Sequence, residues 1–296
     1  MMQEKKYKLA LVIGSGGIRS ILGIGVFQAL SNAGLKPDLI VGCSAGAIFG
    51  AALAQGEGAE AALRKSQSLW TSELTKVTRW SALPSILLSK FGWFKDDFSF
   101  MDDRKIIQQL HKAFREMNIE DLPIPMRITA TRAASGQSVV IEKGRLVDAL
   151  RASIAIPFVF SPFKMQDQLL LDGVVSNPLP LSAARDADTV IAVGMKTPVP
   201  RRATSAVKLY SRVFASITNN LMQAQLELAI ASGMRVINIA PTTARRVKLF
   251  ETQAMSYLVE EGRRATQEML PVIQQLVQQP LEKSEIQKAV PLAVNQ

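Results

Sequence analysis

The sequence predicts an α/β protein built on a parallel sheet covered by helices, and three observations lead there. Two short apolar runs, residues 8–13 (KLALVI) and 38–41 (DLIV), each end in a glycine-bearing turn and lead into a helical stretch. That β-α-β-α order places parallel strands beneath helices. A chain of 296 residues with 48% hydrophobic content also carries enough apolar material for one large core. Finally, the one cysteine, Cys43, excludes an internal disulfide framework.

The elements follow in chain order. Residues 8–13 form the first strand, and residues 18–33 have helical spacing before Gly34 and Pro37 mark a turn. The strand at 38–41 runs into Gly42-Cys43-Ser44-Ala45-Gly46. Residues 47–54, almost entirely small and apolar, suit a helix packed tightly on the sheet. An amphipathic helix is predicted over 105–117, then strands over 126–131 and 138–142 around a Ser135-Gly136 turn. Residues 146–153 read as a helix that stops before Pro157, and 169–171 as a strand leading into Asp172-Gly173. Strands at 189–195 and 235–239 flank a helix over 206–232, and a long helix spans 255–278. With no internal repeat and no low-complexity linker, one domain over residues 8–275 is expected, followed by a polar tail at 276–296.

No apolar stretch reaches the roughly 18 residues of a membrane-spanning helix, and the N-terminal apolar run is too short for a signal-peptide core. The expectation is a soluble, cytoplasmic protein. Its net charge of +10 fits nucleic acid, an anionic membrane surface or plain solubility. Lysine and arginine are scattered, without a basic block interleaved with aromatics, so no nucleic-acid partner is expected. Residues 70–100 differ in character. They hold all three tryptophans and Phe91, Phe94, Phe98 and Phe100, mixed with Lys76, Arg79, Lys90 and Lys95. This composition fits either an aromatic subcore under an insertion or a cap that touches a lipid headgroup boundary, peripheral to the membrane.

A single histidine, His111, narrows the chemistry further. Ser-His-Asp hydrolases and histidine-rich metal sites need imidazole, so neither a metal nor another cofactor is expected. Gly42-Cys43-Ser44-Ala45-Gly46 matches G-x-S-x-G between a strand and a helix. On such a turn the serine hydroxyl projects from a strained backbone, and flanking glycines avoid collision with neighbouring chain. Ser44 is the candidate nucleophile. Gly14-Ser15-Gly16-Gly17-Ile18-Arg19-Ser20 follows the first strand. As a dinucleotide loop it fails G-x-G-x-x-G, because Arg19 stands at the third glycine position. As an oxyanion hole it offers the successive amides of Gly16, Gly17 and Ile18, with Arg19 adding positive potential or fixing the loop. Asp172 is the candidate base, its carboxyl following an apolar strand and preceding a glycine that permits close approach. His111 sits among Lys112 and Arg115 on a helix and precedes Asp172, the reverse of the usual acid-then-histidine order. Cys43 reads as a small buried filler.

These blocks together resemble the patatin-like phospholipase family. The resemblance is carried by GSGGIRS with GVFQAL, by GCSAG, by Ala152-Ser153-Ile154-Ala155-Ile156-Pro157 leading to Phe160, and by Asp172-Gly173 followed by Asn177-Pro178-Leu179-Pro180. It implies a three-layer α/β/α sandwich with a mainly parallel central sheet, related to the α/β hydrolases. It also implies a Ser44–Asp172 dyad, an oxyanion hole at Gly16, Gly17 and Ile18, and hydrolysis of a lipid or fatty-acyl ester. Three positions depart from the family's pattern: Ser20 stands for glycine, Gly23 for histidine, and Val174 for glycine or alanine. The alternative is a noncatalytic regulatory or lipid-binding protein on the same scaffold.

Overall fold

The first apolar run becomes β1 (Tyr7–Ile13), near the middle of a sheet that has eight strands among the described residues. The computed structural model describes residues 6–70, 103–200, 202–243, 247 and 251–278. After β1 come a 3-10 turn (Gly17–Ile21), α1 (Leu22–Asn32), β2 (Leu39–Cys43), α2 (Ala45–Ala54) and α3 (Ala59–Leu69). Next are α4 (Asp103–Phe114), β3 (Met126–Arg132), β4 (Ser138–Ile141), α5 (Leu146–Ser153), β5 (Phe163–Met165) and β6 (Gln168–Asp172). The chain then forms β7 (Ala187–Val193), α6 (Ala206–Ala231), β8 (Arg235–Asn238) and α7 (Met255–Gln278).

Hydrogen-bonded neighbours run β5-β6-β3-β2-β1-β7-β8, with β4 also on β3. β1, β2, β3, β7 and β8 are mutually parallel, whereas β4 and β6 run antiparallel to β3 and β5 antiparallel to β6, so the sheet is mixed with a parallel centre. Alternation along β1 sends Leu9, Leu11 and Ile13 to one face and Ala10 and Val12 to the other. The first face is covered by α1 to α5 and α7, the second by α6 and the turn Leu181–Ala184. Helices on both faces make the three-layer α/β architecture.

At the N-terminal edge of the parallel strands, Arg127 of β3 bonds Asp186, just before β7, through two contacts of 2.5 and 2.7 Å. It also bonds Glu142 at 2.5 Å and the Ala183 carbonyl at 2.7 Å, and stacks over the Tyr7 ring. One guanidinium thus ties together the starts of β1, β3 and β7 and the end of β4.

Several predicted elements shift. The helix predicted over 18–33 is divided, because the chain first makes the 3-10 turn and enters α1 only at Leu22. α3 and β5 have no counterpart in the sequence reading. α7 keeps the predicted bounds of 255–278, with Leu276 buried. Of the aromatic segment at 70–100, residues 71–100 lie outside the described residues. Trp70 itself is buried against Phe49, with ring centroids 5.8 Å apart. Among the described residues no helix is long and apolar enough to cross a membrane.

Candidate active site

The register of β3 creates the site. Along one edge, β2 pairs with β3 up to Cys43↔Thr129, and β6 takes over from Ala130↔Asp172. The other edge is occupied by β4 from Ile128 to Thr131, so β2 and β6 must share the first edge end to end. Because β2 runs parallel to β3 and β6 antiparallel, the two strands meet with their C-terminal ends facing each other. Ser44 follows the last residue of β2, and Asp172 is the last residue of β6. Residues 128 apart in sequence become neighbours.

Close approach at this junction demands glycine. A Cβ on Gly173 would lie 2.6 Å from the Thr129 carbonyl and 2.9 Å from Cys43 Sγ. In the first turn of α2, a Cβ on Gly46 would lie 2.4 Å from the Ile13 carbonyl, so the end of β1 presses directly on the helix that follows Ser44.

Ser44 sits at φ 57°, ψ −132°, a conformation that costs a residue with a Cβ about 1–3 kcal/mol. What holds it is Ser153, at the end of α5. Its hydroxyl accepts the Ser44 amide at 2.9 Å and donates to the Thr129 carbonyl at 2.7 Å. The Ser44 hydroxyl donates to Asp172 Oδ2 at 2.7 Å. Oδ1 of the same carboxylate accepts the Val174 amide at 2.8 Å, while the Asp172 amide donates to the Ala155 carbonyl at 2.9 Å. Thr131 donates to the Asp172 carbonyl at 2.8 Å. Asp172 is 0% exposed, and no cation pairs with it among the described residues. Burial therefore pushes its pKa up to about 7, against the opposing pull of the Val174 amide and the Ser44 hydroxyl. A carboxylate of that pKa, in contact with a hydroxyl, can exchange a proton near neutrality.

The glycine loop lies beside this pair. Its base is pinned by the Gly14 amide to the Val193 carbonyl at 3.0 Å and the Ser15 amide to the Pro178 carbonyl at 2.8 Å. Gly16 caps the 3-10 turn, so the amides of Gly17 and Ile18 open it and have no acceptor within the turn. Arg19 is 4% exposed, and burial lowers its pKa from the ordinary arginine value. Its guanidinium bonds the carbonyls of Gly16 (3.3 Å) and Lys196 (3.2 Å) and the Thr197 hydroxyl (3.2 Å). The first of these bonds closes the loop on itself, and the other two tie it to the segment after β7.

The three departures from the family pattern find local partners. Ser20 donates to the Gly14 carbonyl at 2.8 Å, Ile13 fills the space beside Gly23, and the Val174 amide is the one bonded to Asp172. His111 lies elsewhere, 3.6 Å from Glu116 on the outer part of α4. Cys43 is fully buried, and burial together with the Asp172 charge raises its pKa well above the ordinary thiol value. Ser153, which holds the Ser44 amide, is a residue of the site that the sequence alone did not single out. Its signals were a small polar residue at the apolar end of a helix and its place in the block 152–157.

Fold and site together define a three-layer α/β protein with a strand–turn–helix serine bonded to a buried carboxylate. The family model of patatin-like phospholipases matches residues 11–185, more than half of the chain, and the chain belongs to that family. An uncharacterised NTE family protein of Mycobacterium tuberculosis is 38% identical over 191 residues, 64% of this chain and 49% of that protein. The human patatin-like phospholipase domain-containing protein 6 is 31% identical over 189 residues, 62% of this chain and 13% of that one. The chain thus spans about half, or much less, of the length of these relatives. Among solved structures, VipD from Legionella pneumophila matches with a TM-score of 0.48 at 14% identity, covering 90% of this chain and 67% of that one.

Proposed function

We propose that the chain is a serine lipid acyl hydrolase of the phospholipase A, lysophospholipase or carboxylesterase type. In this reading Ser44 is the nucleophile, Asp172 the general base, and the amides of Gly16, Gly17 and Ile18 the oxyanion hole. One observation carries the proposal: the 2.7 Å bond between a serine hydroxyl held at positive φ and a fully buried carboxylate, with no imidazole involved.

Asp172 takes the Ser44 proton as Oγ attacks the ester carbonyl. The negative charge that develops on the carbonyl oxygen is met by main-chain NH groups and the N-terminus of α2, where one well-placed donor is typically worth about 3 kcal/mol. As the tetrahedral species collapses, the proton passes from Asp172 to the departing alcohol or lysolipid oxygen, leaving Ser44 acylated. Water enters, Asp172 takes its proton, and the hydroxide adds to the acyl carbon. The second collapse returns the proton to Ser44 Oγ and releases the fatty acid. Arg19 acts as the loop's anchor in this scheme, since its donors are directed at protein oxygens. Ser153 acts as a positioning residue that keeps the Ser44 turn in register.

Labelling with a fluorophosphonate, together with turnover of a nitrophenyl ester and a lysophospholipid, tests the reading. The wild-type chain should label and turn over, and Ser44→Ala should do neither. Unchanged labelling of Ser44→Ala would move the nucleophile elsewhere. Inactivity of the wild type across an ester panel would favour the noncatalytic, lipid-binding alternative.

A further inference from the structure

Helix α6 is anchored through its later turns. Asn219 exchanges bonds of 2.7 and 2.8 Å with the Thr197 backbone. Gln225 accepts the Leu179 amide at 3.1 Å and donates to the Ser176 carbonyl at 3.2 Å. Ala215, Thr218, Met222 and Ala229 are buried on the same stretch. The first turns behave differently. Leu209, Val213 and Ile217, each four residues apart, are 53%, 49% and 60% exposed and line one side of the helix. Next to them Tyr210 stacks on Phe214 at 5.6 Å and meets Phe158 edge-on at 5.5 Å. Phe158 is itself 48% exposed, at φ 67°.

On a helical projection these five α6 side chains span an arc of about 140°, with Lys208 and Arg212 along one border. Along this stretch of chain the charge has one sign. Residues 189–226 contain no Asp or Glu, whereas Lys196, Arg202, Lys208 and Arg212 all fall within them. An exposed apolar arc with Lys208 and Arg212 along one border complements an anionic bilayer, whose acyl boundary takes the apolar side chains while its phosphates meet the lysine and arginine.

The patch also adjoins the site. The Tyr210 hydroxyl donates to the Pro157 carbonyl at 3.2 Å, two residues from the Ala155 carbonyl that receives the Asp172 amide. Burial first and the Asp172 charge second raise the Tyr210 pKa, so phenol and carboxylate lie within electrostatic range. Thr197, held by Asn219, is also the residue that Arg19 of the glycine loop grips.

The geometry points to the first half of α6, with Phe158, as the surface on which this protein docks to an anionic lipid bilayer. Docking there brings the Phe158–Tyr210 side of the Ser44–Asp172 pair toward the lipid, so the inference rests on the acyl-hydrolase reading for its purpose, though not for the binding itself. The test is sedimentation of the full chain, native and Ser44→Ala alike, with vesicles of phosphatidylcholine alone or mixed with phosphatidylglycerol. Both proteins should pellet with the anionic vesicles. The double variant Leu209→Glu/Val213→Glu should lose at least about tenfold in binding, with an unchanged melting temperature, because both positions are exposed. Lys208→Gln/Arg212→Gln should lose about fivefold per cation at low salt. The inference is overturned if native protein stays in the supernatant with both lipids, or if the Leu209/Val213 variant pellets as well as the native chain. It is also overturned if light scattering finds a dimer that this variant splits, which would assign the stripe to a second copy. Vesicle binding by a chain that hydrolyses no ester would sustain the docking surface and count against the hydrolase reading alone.

Discussion

Two edges of one sheet each bury an aspartate, and the two carboxylates have opposite fates. At the N-terminal edge Asp186 is clasped by Arg127, whose hydrogen bonds pull its pKa below the usual carboxylate range. At the C-terminal edge Asp172 is buried with only a serine hydroxyl and one amide on its oxygens, and its pKa rises to about 7. A charge that has a cation stabilises the strands it joins. A charge left without one is costly, and that cost raises the carboxylate's affinity for a proton. The division follows the general rule that open α/β sheets place ligands outside the carboxyl ends of their strands.

Removing the Asp172 carboxylate is the sharpest way to break this contrast. Asp172→Asn is expected to lower kcat/KM for a nitrophenyl ester by about a thousandfold while the protein remains folded, since general-base groups contribute 10²–10⁴. Activity within tenfold of the native protein would remove Asp172 from the chemistry. Arg127→Met should do the reverse. It leaves Asp186 buried without its cation, at a cost of about 3 kcal/mol in unfolding free energy, yet turnover below the melting point should stay near native. Urea melts alongside activity separate the two effects.

Ser153→Ala removes the acceptor of the Ser44 amide and the donor to the Thr129 carbonyl. About 2 kcal/mol is expected, read as roughly a thirtyfold fall in kcat with little change in KM. A change confined to melting temperature would reduce Ser153 to a packing role. The smallest effect is the pH dependence, because only ionised Asp172 accepts a proton. kcat/KM should rise about tenfold as the pH climbs through about 7 and should level off above it.

Stability should follow pH with opposite signs at the two aspartates. The folded pKa of Asp172 is raised, so its contribution is complete below the ordinary carboxylate pKa of about 4 and is lost as the pH rises through about 7. Asp172→Asn should therefore melt above the native protein at alkaline pH, and that gap should close on acidification. The folded pKa of Asp186 is lowered, so its contribution is present above the ordinary range and disappears as the pH falls through the lowered value. Native and Arg127→Met melting curves should converge in acid.

Much of the fold was legible where hydrophobic period was strong. The helices at 146–153 and 255–278 have the predicted bounds, since their apolar positions repeat over whole turns against the sheet. α3 escaped notice because its buried positions are Ala62, Ser66 and Leu69, too small and polar to give a periodic signal. β5, at three residues, is shorter than any pattern that could reveal it. The continuous helix read over 18–33 breaks at its start because Arg19 turns back to the Gly16, Lys196 and Thr197 oxygens. That last partnership spans 178 positions of chain and leaves no local trace.

The amino-acid order alone determined the kinds of chemistry available. One histidine and a glycine-flanked serine between strand and helix narrowed the candidates to a hydroxyl, a carboxylate and main-chain amides, because residue type and local backbone demand are local properties. Which carboxylate had its proton affinity raised, and which became half of an ion pair, was decided only by tertiary structure. Asp172 and Asp186 both stand beside strands. Their proton affinities part because β2 and β6 meet head-on at the one, whereas β3 brings Arg127 to the other. Desolvation and charge pairing depend on what lies across space, and nothing in neighbouring sequence specifies that.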